Sequence, residues 1–226
     1  MKEFNTLLSH LSALSILIPG CLLFLKKQNL TKKHLVILGA LFITGAFSDL
    51  ISYLLMKNHI INSIVGNIYT VLEFLLISWM YWEFLKKENK AFIKISVIVF
   101  LFVFIVDTLF IRGLFEVQNI TLSASSVILI FFAYRFFRFL RTLPTIITKR
   151  ITAGRDVHFK TLYFINIAVF FYFVLNLWLF TLSPIVLEIF NEEAPVNLWA
   201  FHNVMNIIKN VFFAVGLYWA GKKELV

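Results

Sequence analysis

Seven apolar stretches divide the chain, at Leu7–Leu25, Leu35–Met56, Ile61–Leu85, Phe92–Ile111, Ile120–Leu140, Thr161–Leu182 and Asn197–Ala220. A run of about 17 to 25 such residues matches the hydrocarbon thickness of a bilayer when helical. Inside hydrocarbon no water is available to backbone N–H and C=O groups, so a spanning segment must satisfy them within itself or in a closed barrel. The runs lack the two-residue alternation of a membrane barrel, which leaves helices. The expected fold is therefore all-α: a polytopic membrane protein with seven transmembrane helices. The connections are too short for a separate soluble domain, so residues 1–226 read as a single seven-helix transmembrane domain.

The basic residues give the bundle a direction. Those after segments one, three and five include Lys26, Lys27, Lys32 and Lys33, then Lys86, Lys87 and Lys90, then Arg141, Lys149, Arg150 and Arg155; the C-terminus adds Lys222 and Lys223. Segments two and four are followed only by Lys57 and Arg112, and segment six by Glu188, Glu192 and Glu193. The positive-inside rule then places the N-terminus outside and the C-terminus in the cytoplasm. A formal charge of +9 distributed in this way marks topology, and nucleic acid is excluded as a partner. With 60% hydrophobic residues and a mean hydropathy of +0.87, the lipid bilayer is the first partner. Richness in Lys, Asn, Ile and Phe points to a bacterial cytoplasmic (inner) membrane, crossed many times. The first segment lacks a small-x-small cleavage site and is followed by lysines, so it reads as a retained helix. The basic 141–160 connection suits anionic headgroups or a cytoplasmic partner, and a homo-oligomer is compatible with the bundle.

Polar residues inside the apolar runs are the candidates for function, because an ionisable group there needs a protein partner or a cavity. His202, Asn206 and Lys209 share one face of segment seven by their i, i+4, i+7 spacing. At 1.5 Å per residue, Glu73 and Lys209 both lie about 18 Å from the outer ends of their helices, near mid-bilayer. Asn206 is expected at about 14 Å, Asp49 at about 10 Å, Asn176 at about 9 Å and His202 at about 8 Å on the same scale. Tyr69 shares the face of Glu73, and Asn67 lies further out on that helix. The predicted ligand-binding set is thus Glu73, Lys209, Asp49, His202, Asn206, Asn176, Tyr69 and Asn67, grouped around an outward-opening pocket floored by a Glu73–Lys209 pair. A static ion pair is the bland alternative, and hydrogen-bonded glue between helices is the bland reading of the asparagines. Asp107, close to Arg112, reads as an interfacial charge. Trp79, Tyr81, Trp82, Trp178, Trp199 and Trp219 read as interfacial anchors. Pro19-Gly20 is expected to kink segment one, and Gly39 and Gly45 to admit close helix contacts.

These features suit a sensor or small transporter binding a small molecule or lipid, with roles in transport or signalling. No catalytic residue, metal ligand or cofactor is assigned. His-Glu-x-x-His and Gly-x-Ser-x-Gly are missing, and the single cysteine, Cys21, provides neither disulfide nor thiolate cluster. The balance is against an enzyme. Three alternatives stay open: an intramembrane enzyme acting on an apolar isoprenoid-type substrate, a retinal-type chromophore protein with Lys209 as Schiff base, and a structural or assembly subunit. The run Leu41-Phe-Ile-Thr-Gly-Ala-Phe-Ser-Asp49, with Gly66-Asn-Ile-Tyr-Thr-Val-Leu-Glu73, resembles helices two and three of bacterial lycopene-cyclase domains. That resemblance implies carboxylate chemistry at Asp49 and Glu73. Where that family has paired glutamates this chain has Leu72-Glu73. The outline also resembles microbial rhodopsins, although Met205 stands where their helix-seven aspartate belongs. It resembles seven-helix bacterial integral membrane proteins more generally, which implies no activity. Finally, aligning Lys86-Lys87-Glu88 with Lys222-Lys223-Glu224 sets Asn67 on Asn203 and Glu73 on Lys209, as a parallel duplication would.

Overall fold

The computed structural model describes the backbone of residues 2–25, 32–85, 87–147, 154–189 and 194–220, and the side chains of 4–25, 32–85, 90–141, 159–181 and 200–220. Lys26, Lys27, Lys86, Lys149, Arg150, Glu192, Glu193, Lys222 and Lys223 lie outside the described residues. Every described element is helical: α1 (Lys2–Ser15), α2 (Leu17–Leu25), α3 (Lys33–Lys57), α4 (Ser63–Phe84), α5 (Lys87–Val106) running into a π-helical turn (Asp107–Ile111), α6 (Asn119–Ile147), α7 (Gly154–Ile189) and α8 (Ala194–Ala220).

Six spans are long and apolar enough to cross a membrane: Phe4–Leu25, Lys33–Lys57, Ser63–Phe84, Lys90–Ile111, Asn119–Arg141 and Phe159–Thr181. The seventh, α8, has the length at 27 residues but not the apolarity, because His202, Asn203, Asn206, Lys209 and Asn210 fall within it. Large apolar side chains face outward along the bundle, among them Leu25, Phe102 and Phe110. For a soluble protein such a surface would be an aggregation liability; in lipid it is the solvated face.

Three boundaries differ from the expectation for physical reasons. The kink in the first span comes at Ile16, one turn before Pro19. Proline has no N–H to return to the Ser15 carbonyl and its ring crowds that carbonyl, so the ladder opens there. The 141–160 connection is mostly helix, since α6 continues to Ile147 and α7 begins at Gly154. Hydropathy marks where hydrocarbon ends, but nothing obliges a hydrogen-bonded helix to stop at that plane. Asp107, expected at the interface, is fully buried. Its Oδ2 accepts from the Thr121 backbone N–H at 3.0 Å and the Thr121 hydroxyl at 2.8 Å. A carboxylate at the first turn of α6 meets unpaired N–H groups and the positive end of the helix dipole.

Packing follows the kink. α2 lies against α3, whereas α1 and α2 both lie against α8, which also packs closely on α7. A Cβ on Gly39 would stand 2.8 Å from Leu23 Cδ2, and one on Gly45 would stand 2.6 Å from Ile16 Cδ1, so both glycines serve as the close contacts expected of them. At Gly216 a Cβ would come within 3.1 Å of the Thr161 carbonyl, which lets the α7 and α8 backbones approach. The core is aromatic. Phe74 and Phe100 stack at 3.8 Å, and Tyr81 meets Phe84, Phe132 and Phe136 edge to face. Tyr81 is therefore no interfacial anchor: it is buried and donates to Asn166 Oδ1 at 2.6 Å, whose Nδ2 donates to the Ala133 carbonyl at 3.1 Å. Trp79 and Trp178 are exposed, as anchors require; the Trp199 side chain lies outside those described.

Candidate functional site

The expected pair is present. Lys209 Nζ lies 3.2 Å from Glu73 Oε1, with side-chain exposures of 5% and 8%. Two charges taken out of water cost several kcal/mol each, and a buried pair recovers this only with good geometry and further hydrogen bonds. Both aids are found. Tyr69 Oη donates to the same Oε1 at 3.3 Å, reaching it over Gly45, where a Cβ would stand 3.2 Å from that hydroxyl. The ammonium also sits 3.8 Å from the centroid of the Tyr172 ring, whose face attracts cations.

Tyr172 links the pair to the other predicted residues. One turn along α7, Asn176 Oδ1 lies 2.9 Å from His202 Nδ1, and the His202 ring stands 6.1 Å from both Tyr172 and Phe180. A continuous polar path thus runs Glu73, Lys209, Tyr172, His202, Asn176 through α4, α7 and α8. Asp49 on α3 completes it at a distance: it is half-buried and within electrostatic reach of both Lys209 and Glu73. Among the described residues no hydrogen bond reaches its carboxylate. The pair itself is packed, and Asp49 is the less covered carboxylate.

The remaining predicted residues stand apart. Asn67 donates to the Leu114 and Glu116 carbonyls at 2.8 and 2.7 Å, tying α4 to the connection before α6. Asn206 donates to Ser12 Oγ at 3.0 Å. It belongs to a seam between α1 and α8 in which Asn203 donates to Ser9 at 2.9 Å and Asn210 to Ser15 at 2.7 Å. The numbers rise together on both helices, so α1 and α8 run in the same direction. Asn67 and Asn203, which the alignment of the two halves equates, have unrelated partners.

Sequence reasoning missed Tyr172 and the serines. Tyr172 was within reach, since it lies four residues before Asn176 on one face; Ser9, Ser12 and Ser15 recur every third residue, a pattern that marks one stripe of a helix.

An apolar groove of about 310 Å³ lies between α6 and α7. It is lined by Val127, Ile130, Phe131, Tyr134, Phe170 and Leu177, and shares no residue with the polar path. Among the described residues, no group of three His, Cys, Asp or Glu side chains is placed to hold a metal ion. No protein-family model matches the chain, and neither a curated protein nor a solved structure is significantly similar to it. The functional reading therefore rests on its own residues.

Proposed function

We propose that this is a multi-pass inner-membrane protein, N-terminus outside, whose Asp49–Glu73–Lys209 cluster binds a small molecule or lipid, as a sensor or small transporter. The orientation rests on the distribution of Lys and Arg between connections. In favour of α8 as a seventh crossing is its direction, since first and seventh spans must run the same way. The observation that carries the ligand reading is the 3.2 Å Lys209–Glu73 contact at 5% and 8% exposure, beside an aspartate that accepts no hydrogen bond among the described residues. An apolar pair of the same volume would be as stable or more so, so retention of two charges and a third nearby suits a binding task.

The test is native mass spectrometry of the protein purified in mild detergent. A small molecule or lipid that is retained by the wild type and lost from both Glu73→Gln and Lys209→Met supports the reading. If both substitutions leave the bound species unchanged and lower only thermal stability, the pair is a static fastening and the reading fails.

A further inference from the structure

Along α6, Val127, Ile130, Phe131, Tyr134, Arg138 and Arg141 fall at i, i+3, i+4, i+7, i+11 and i+14, so one stripe of the helix carries them all. The first four, with Phe170 and Leu177 of α7, line the apolar groove of about 310 Å³. Phe170 is set in place by Phe137, whose ring meets it edge to face with centroids 5.7 Å apart. Val127, Phe131 and Tyr134 are exposed, so the groove opens away from the bundle. That is the surface the apolar spans turn to lipid, and a groove walled by hydrocarbon holds no water. Whatever fills it is apolar.

The stripe changes character at its end. Arg138 and Arg141 are exposed, and among the described residues neither has a hydrogen-bond or ion-pair partner. Arg135 flanks the same end, its guanidinium 5.2 Å from the ring of Phe131, a wall of the groove, and 4.4 Å from that of Phe92. Nothing nearby on these helices balances the charge: α6 contains no Asp or Glu, and the described side chains of α7 include none. At 1.5 Å per residue the rise from Val127 to Arg138 is about 16.5 Å, and one leaflet of hydrocarbon is about 15 Å deep, half of the whole core. Arg141 is also where the apolar span ends. A groove one leaflet deep, closed by uncompensated guanidinium groups at headgroup level, has the dimensions and the charge of one phospholipid. We propose that the α6–α7 face binds one anionic glycerophospholipid, with an acyl chain in the groove and the phosphate on Arg138 and Arg141. The planar fork of arginine offers a phosphate two N–H donors at once. The site shares no residue with the Glu73–Lys209 pair and does not rest on the reading given to that pair.

The experiment is native mass spectrometry of the full chain, stripped of lipid in neutral detergent and titrated with dioleoyl phosphatidylglycerol or dioleoyl phosphatidylcholine. The anionic lipid should add once per chain, saturably, and about tenfold or more tighter than the zwitterionic one. Arg138→Gln with Arg141→Gln should remove most of that preference, at about fivefold for each charge. Arg138→Lys with Arg141→Lys, which keeps the charge, should retain part of it. Val127→Trp, which fills the mouth of the groove, should weaken both lipids by a similar factor. Glycerol 3-phosphate, the charge without the acyl chains, should not compete. Equal binding of the two lipids, a preference intact in the double glutamine variant, or binding indifferent to Val127→Trp overturns the proposal. Competition by glycerol 3-phosphate also overturns it, by making this a phosphate site without a lipid. If Val127→Trp changes the proportion of dimer and leaves lipid binding as it was, a second copy of the chain occupies the groove and the proposal falls. If the lipid is lost from Glu73→Gln and not from the arginine variant, it sits at the pair and the α6–α7 site falls; the converse result supports the α6–α7 site and leaves the test of the pair undisturbed.

Discussion

Two stripes of α8 solve the same problem in opposite ways. Toward α1, Asn203, Asn206 and Asn210 each donate to a serine hydroxyl at 2.7 to 3.0 Å. Toward α4 and α7, Lys209 meets one carboxylate at 3.2 Å, while a second, Asp49, has no hydrogen bond among the described residues. The first stripe is neutral and matched donor to acceptor, which is how polar side chains fasten helices in lipid. The second is charged and carries a surplus carboxylate, at greater expense to folding than fastening requires. Polar content alone does not separate scaffold from site; the match between donors, acceptors and charges does.

The sharpest way to break this contrast is at the pair. Lys209→Met should destabilise the bundle by about 3–5 kcal/mol, because it strands a buried carboxylate. Glu73→Gln combined with Lys209→Met should recover most of that loss; a double-mutant cycle of detergent unfolding measures it, and additive effects would mean that the two charges are not coupled. Next in size, Gly45→Val should cost about 1–3 kcal/mol by driving Ile16 and the Tyr69 hydroxyl away from α3. Loss of the bound species together with stability would tie Tyr69 to the site. Smaller again, Asn206→Leu or Ser12→Ala should lower stability by about 0.6 kcal/mol, the mean found for interhelical hydrogen bonds, and leave ligand retention as it was. A retention defect there would put the seam inside the site. Smallest, Asp49→Asn should change unfolding by no more than about 0.5 kcal/mol, since no bond is lost. A large loss of stability in this variant would make Asp49 structural.

Depth was readable from the chain alone, and rotation was not. Counting at a fixed rise per residue set Glu73 and Lys209 level, and they meet. The same count says nothing about which helix lies beside which, and so placed Asn206 and Asn67 with the pair although one faces Ser12 and the other the Leu114 and Glu116 carbonyls. Asp107 and Tyr81 went astray for a related cause. Their distance from a span end was right for an interface, but a neighbouring Thr121 or Asn166 on another helix gave each a buried partner. Gly39 and Gly45 were legible because the absence of a side chain is a statement about contact, whatever the neighbour.

The Asn–Ser seam also bears on how such a chain is assembled. Its partners stand 194 and 195 residues apart, so the first helix is made long before the strip that will hold it. In the meantime Ser9 and Ser15 donate to carbonyls of their own helix, at Asn5 and Ser12, which lets α1 enter lipid with those hydroxyls already satisfied. When α8 arrives, its amides bring hydrogens to serine oxygens that still have lone pairs free. The bundle is thus closed by its last helix without the first having to break a bond it already made.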